Sequence, residues 1–167
     1  MAATLPRPNW LQRLNQQLAG TRVGAWLFAP TLHYLDTPVL RWSKGRWSVS
    51  GIVAGFPVVL LTSTGAKSQQ PRTMPLIGIP DGDKVVLIGT NFGRSFLPGW
   101  YYNLRAYPEA TVLTPRGQGQ YTAREANEAE RERYWQMALE IYSGYAEYKK
   151  RIGDRFIPII VLTPAAQ

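Results

Sequence analysis

From residue 57 onward the chain repeats one pattern: a short apolar, largely β-branched run, then a turn. VVLL at 58–61, MPLIGI at 74–79, KVVLIG at 84–89 and IPIIVL at 157–162 are all of this kind. Each is too short for a buried helix, and Gly, Pro and Asp separate them, so they read as buried strands. A chain punctuated in this way folds as a sheet before anything else, and its helices must fit around that sheet.

Strands are predicted at 58–63, 72–79 and 84–89, with Pro80-Asp81-Gly82-Asp83 as the tight turn of a hairpin. NFGRSFL at 91–97 is a glycine-containing loop, and Pro98 heads a helix through WYYNLRAY because its φ is already helical. Two more strands, 110–115 and 120–124, flank the turn Arg116-Gly117-Gln118-Gly119. Asn127 caps a helix running to about Tyr148, with Glu128, Glu130 and Glu132 near its positive end. The last strand spans 155–162, and Pro158 within it points to an edge or a bulge. The expected fold is α+β, a small β-barrel flanked by helices over 57–167. Residues 1–56 form a helical N-terminal segment. Within it, 8–19 place Trp10, Leu11, Leu14 and Leu18 on one helical face. The stretch RWSKGRW at 41–47 suits either a membrane surface or a cationic lid over the core, and the lid is favoured.

The reactive side chains are few. There is no cysteine, the single histidine is His33, and the acids form no paired-carboxylate motif. Thiol nucleophiles and disulfides are thereby excluded, and no set of metal ligands is expected. An enzyme of this composition needs a bound cofactor for difficult chemistry. No apolar run reaches the length of a membrane span, and the N-terminus lacks a signal-peptide core. A cytoplasmic protein is expected, with the inner membrane surface as an alternative location.

The net charge of +8 is unevenly placed. Residues 1–116 carry twelve Lys and Arg against four acids, whereas the remainder is balanced. Such an excess implies an anionic partner. Its focus is TSTGAKSQQPR at 62–72, where hydroxyls, a glycine, Lys67, Ser68 and Arg72 follow a buried strand. These residues make a plausible phosphate cradle. It is not a Walker A loop, because the earlier glycine is missing and a strand follows it, not a helix. A second strand end, Gly89-Thr90-Asn91-Phe92-Gly93, lets backbone approach a flat ligand. On the helix after it, Asn103 is placed to hydrogen-bond across the loop. A long basic stripe is absent, which argues against nucleic acid.

The combination LLTSTGAKSQQPR, MPL, DGD, GWYYNLRAYPEATV, RYWQMALEIYSGYAEY and RFIPIIVL, in that order, resembles the deazaflavin (F420)-dependent nitroreductase family. The resemblance covers about residues 57–164. It implies a split β-barrel related to flavin mononucleotide-binding barrels. It also implies coenzyme F420, whose phosphodiester and oligoglutamate tail match the cationic loop. Thr64, Gly65, Lys67, Ser68 and Arg72, then Met74 and Pro75, would contact the cofactor. Thr90, Asn91, Phe92 and Gly93 would lie along the ring, with Trp100 and Asn103 closing the other side. The chain departs from the family at Ala66, where many relatives have a cation, and at Gln69, where glycine is usual. Asn91-Phe92 replaces a Lys-Gly found in some members.

Tyr142, Tyr145 and Tyr148 recur every three residues, so on one helix their hydroxyls would share a pocket. By the resemblance they face the substrate. Tyr145 is expected as proton donor or orienter, and Tyr142, Tyr148 and Ile77 as pocket walls. The expected activity is hydride transfer from reduced F420 to a quinone, enone or nitroaromatic. The alternative is a non-catalytic barrel that binds flavin mononucleotide, haem or a fatty acid. A homodimer and peripheral membrane contact are further expectations.

Overall fold

The structure, a computed structural model, describes Trp10, Gln12, Asn15 and residues 34–165. Leu11, Leu14 and Leu18 of the expected amphipathic face, and His33, lie outside the described residues. Trp10, Gln12 and Asn15 are helical, as is the stretch 34–42. A short helix α1, Val49–Ala54, follows.

Seven antiparallel strands then form one sheet that curls into a split barrel, in the order β2-β1-β5-β6-β7-β4-β3. They are β1 Val58–Thr64, β2 Pro71–Ile77, β3 Ile79–Asp81, β4 Lys84–Ile88, β5 Glu109–Thr114, β6 Gly117–Glu125 and β7 Ile159–Pro164. Helix α2, Gly99–Ala106, lies between β4 and β5. Helices α3, Glu128–Ile141, and α4, Gly144–Ile152, precede β7.

The unbroken apolar runs are explained by two cores. Val58 and Leu60 of β1 join one cluster with Leu40, Phe56, Tyr134 and Tyr145. Their neighbours Val59 and Leu61 join another with Trp100, Tyr101 and Leu104 of α2. Side chains alternate across a strand, so a strand covered on both sides needs apolar residues at every position. The residues 34–56 supply Leu40, Ala54 and Phe56 to the first cluster.

Four local expectations are corrected. The strand expected at 72–79 divides at Gly78, where a Cβ would come within 2.7 Å of Val59. The resulting β2 is half-buried, because it ends the sheet and pairs only with β1. The final strand begins at Ile159 and is internal, between β6 and β4. Pro158 precedes it, outside the ladder, where its missing N–H costs nothing. The single helix to Tyr148 is two helices, broken at Tyr142, whose backbone is extended (φ −149°, ψ 102°). Its start is as expected: Asn127 and Glu130 form a reciprocal capping box.

Candidate active site

A cavity of about 280 Å³ lies where β2, β4, α1, the head of α2 and the α3–α4 junction meet. Of the residues singled out from sequence, it gathers Met74, Pro75, Ile77, Thr90, Asn91, Phe92, Trp100, Tyr142, Tyr145 and Tyr148. Thr64, Gly65, Lys67, Ser68, Arg72, Gly93 and Asn103 do not line it. Gly65, Lys67 and Ser68 lie in the β1–β2 loop, with Thr64 and Arg72 on the strands that flank it. Arg72 joins that loop to the cavity wall, since it stands two residues before Met74 on the same strand.

The loop is held by its own bonds. Gly65 N–H donates to Gln70 O at 2.9 Å, and Gln69 N–H to Gly65 O at 2.8 Å. A Cβ on Gly65 would meet Ser68 Oγ at 2.5 Å, so a side chain there would displace the Ser68 hydroxyl. Asn103 accepts from Ala66 N–H at 2.9 Å and donates to Ser63 Oγ at 3.2 Å, which ties α2 to the loop. Arg72 Nη2 donates to Ser68 Oγ at 3.2 Å, orienting the guanidinium beside that hydroxyl. Lys67, Ser68 and Arg72 are exposed. Gln69 adopts φ 54°, the left-handed conformation that glycine takes without strain.

The second loop is a 3-10 turn, Asn91–Gly93, in which Asn91, Phe92 and Gly93 all have positive φ (51°, 57° and 75°). Asn tolerates this region, whereas a bulky residue such as Phe does so at a cost of about 1–2 kcal/mol. Its surroundings hold it there. Arg155 Nη2 donates to Thr90 O at 2.9 Å, and the Phe92 ring meets Tyr148 edge-on at 6.4 Å. A Cβ on Gly93 would press on Arg151 and Tyr148 at 3.3–3.4 Å.

The three tyrosines converge despite the helix break. Their ring centroids lie 5.4, 5.8 and 6.3 Å apart in edge-on pairs, and Phe56 packs on Tyr142 at 4.9 Å. The Tyr142 and Tyr148 hydroxyls are 3.1 Å apart. Among the described residues, the Tyr145 hydroxyl has no hydrogen-bond partner, and Tyr145 is 4 % exposed. Burial raises the pKa of all three, and the negative charge of ionised Tyr148 would oppose ionisation of Tyr142 and Tyr145. Each therefore remains a protonated donor at neutral pH. The break itself depends on Gly144, where a Cβ would lie 2.1 Å from the Tyr142 ring.

Sequence reasoning missed Asp36, Ser50, Val53 and Phe56, which also line the cavity. It missed Arg155 as well, whose contact with Thr90 spans 65 residues of sequence. Gly144 was the one visible signal, being a helix-weakening residue between two of the tyrosines.

With this geometry in view, similarities to known proteins are informative. Residues 36–164 match the family model of F420H(2)-dependent quinone reductases. The F420H(2)-dependent quinone reductase Rv1261c of Mycobacterium tuberculosis is 36% identical over 132 residues, covering 77% of this chain and 87% of that protein. The solved structure of an F420-H2 dependent reductase, FDR-A, is 37% identical, with a TM-score of 0.59, over 64% of this chain and 93% of that one. A second solved structure, described as a domain-swapped dimer, is 32% identical, with a TM-score of 0.61, over 80% and 99%. No helix among the described residues is long and apolar enough to cross a membrane.

Proposed function

The chain belongs to the F420H(2)-dependent quinone reductase family, and we propose that it passes a hydride from reduced F420 to a quinone held in the cavity beside Tyr145. The observation that carries this reading is Tyr145 itself. It is a buried phenol on the cavity wall whose hydroxyl has no partner among the described residues, flanked by two tyrosines whose hydroxyls pair with each other.

The residues present fit the cofactor. An apolar cavity suits a flat ring, and a preformed loop bearing Lys67, Ser68 and Arg72 suits a phosphodiester and a polyanionic tail. When bound, reduced F420 supplies the hydride, the two-electron step that no side chain here can perform. The protein's part is to place and to protonate. Met74, Pro75 and Trp100 would pack against its ring, and the Thr90–Phe92 segment would offer backbone to it. Tyr145 O–H donates to the acceptor oxygen as negative charge develops there. Its proton completes the hydroquinone and is replaced from solvent.

The N-terminal elements serve the same site. Leu35, Val49 and Val53 line the cavity, while Trp42, Trp47 and Tyr34 of the same segment are exposed, Trp42 by 84%. Arg41, Lys44 and Arg46 lie among them. An aromatic and cationic face beside the cavity favours contact with an anionic membrane surface, from which a lipophilic quinone would enter. Residues 34–56 are thus both wall and membrane-facing element, on the cytoplasmic side. Sedimentation with anionic but not neutral vesicles, lost on replacing Trp42 and Trp47 with Ser, tests this. The domain-swapped relative favours a homodimer, which light scattering would detect.

The central test is oxidation of F420H2 by menadione, a small naphthoquinone, followed by cofactor absorbance. Turnover that falls sharply in Tyr145→Phe while F420 affinity is kept is the expected result. Equal turnover in both proteins would overturn the role of Tyr145, and tight binding of flavin mononucleotide in place of F420 would overturn the whole reading. Enones and nitroaromatics belong in the same assay as further acceptors.

A further inference from the structure

Asp36 is fully buried (0% exposed), far in sequence from the tyrosines, and is the one charged side chain among the described residues of the cavity wall. Its carboxylate is used entirely on one residue. Oδ1 accepts the Ser50 amide at 3.1 Å, and Oδ2 accepts the Ser50 hydroxyl. Ser50 belongs to α1, whose Val49, Val53 and Ala54 form the N-terminal wall of the cavity. The other end of α1 is also held from outside. Gln12 Nε2 donates to Ile52 O at 3.2 Å, and Asn15 Nδ2 to Val53 O at 3.0 Å.

A six-residue helix has no stability of its own, so its position depends on what it is bonded to. Polar groups clamp α1 at both ends, and of these only the Asp36–Ser50 pair is buried. Burying a carboxylate is costly unless its hydrogen bonds are made, so this pair resists opening in a way the exposed amide contacts do not. We propose that Asp36 is a positioning residue of the acceptor pocket: through Ser50 it fixes α1, and α1 sets how tightly the acceptor is held against Tyr145. The inference rests on the proposed quinone reduction for its acceptor, but its geometry is independent of the cofactor loop, which lies at the far end of β2.

Three variants test it. Ser50→Ala removes the hydroxyl contact with little change in volume. Asp36→Ala removes both contacts. Asp36→Asn retains both, because its carbonyl accepts the amide and its NH2 donates to the Ser50 hydroxyl. The menadione KM should rise about tenfold in Ser50→Ala and more in Asp36→Ala, with kcat and F420 affinity changing much less. Asp36→Asn should recover most of the lost affinity. Amide exchange should quicken at 49–54 in the two Ala variants and not in Asp36→Asn. Losses in Asp36→Asn as large as in Asp36→Ala would overturn the proposal, since charge and not position would then matter. Unchanged KM in Ser50→Ala, or parallel loss of kcat and F420 affinity, would also overturn it. Menadione binding read from tryptophan fluorescence separates the two readings. A wild type that binds menadione without turnover fails the reductase reading, and the Ser50→Ala effect on binding still decides the role of Asp36.

Discussion

Asn103 Oδ1 accepts the Ala66 amide at 2.9 Å, across 37 residues of sequence. With the second bond from its Nδ2 to Ser63 Oγ, one side chain joins α2 to the loop that carries Lys67 and Ser68. Asn103→Ala leaves the Ala66 amide and the Ser63 hydroxyl without that partner. About 1–2 kcal/mol of loop order is lost. F420 affinity, measured by fluorescence titration, is expected to weaken roughly tenfold, with kcat at saturating cofactor nearly unchanged.

Gln69 sits at φ 54°, where glycine is unstrained. Gln69→Gly removes a cost of about 1–2 kcal/mol but adds unfolded-state entropy of about 0.5–1 kcal/mol. A small net gain in urea midpoint is expected. Gln69→Val, whose branched side chain fits this conformation poorly, should lower the midpoint.

Tyr145→Phe tests the proposed proton donor. Loss of one general acid typically costs about a hundredfold or more in rate, here expected in kcat with F420 affinity kept. Tyr142→Phe loses the bond to the Tyr148 hydroxyl and is expected to be milder, because that pair shapes the wall without facing the acceptor alone.

Alkaline stability follows from the same tyrosines. Tyr142, Tyr145 and Tyr148 all have raised pKa values in the folded protein, and Tyr134, buried beside Asp81, is pushed up to about 12. The unfolded chain loses these protons near pH 10, the ordinary value of a tyrosine, while the folded chain keeps them. Protons bound by the unfolded state are then fewer, so stability is intact below that pH and falls as pH rises through the folded values. Tyrosinate absorbance should show these four appearing together with unfolding. Tyr142→Phe should make the fall shallower.

Gly144→Ala places a Cβ 2.1 Å from the Tyr142 ring, so the buried ring or one of the two helices must shift. A loss of about 1–3 kcal/mol is expected from such overpacking. Thermal melting reads it directly, and quinone turnover should fall with it because Tyr142 and Tyr148 separate.

The strands were legible because a sheet buried on both sides writes itself as uninterrupted β-branched runs, as in VVLL and KVVLIG. The hydroxyl and cationic loop was legible for a similar reason, since its chemistry is local. The helix break was not, because the period of three in the tyrosines is that of a continuous helix, and the turn at Tyr142 is fixed by packing on Phe56 and Gly144. Asp36 and Arg155 were silent: one acid and one cation among many acquire meaning only from Ser50 and Thr90, which lie fourteen and sixty-five residues away.

Arg72 and Leu76 stand on one face of the same strand, β2, the first at its loop end and the second in the cavity wall. At about 3.3 Å per residue, four steps make an interval of about 13 Å. For the proposed cofactor the strand is in effect a ruler, graduated between the ligand's charge and its reacting ring. A molecule with the right headgroup and too short a spacer can satisfy one mark or the other, but not both. Inserting a residue into β2 would do more than lengthen the scale, for every mark beyond it would turn to the opposite side of the sheet.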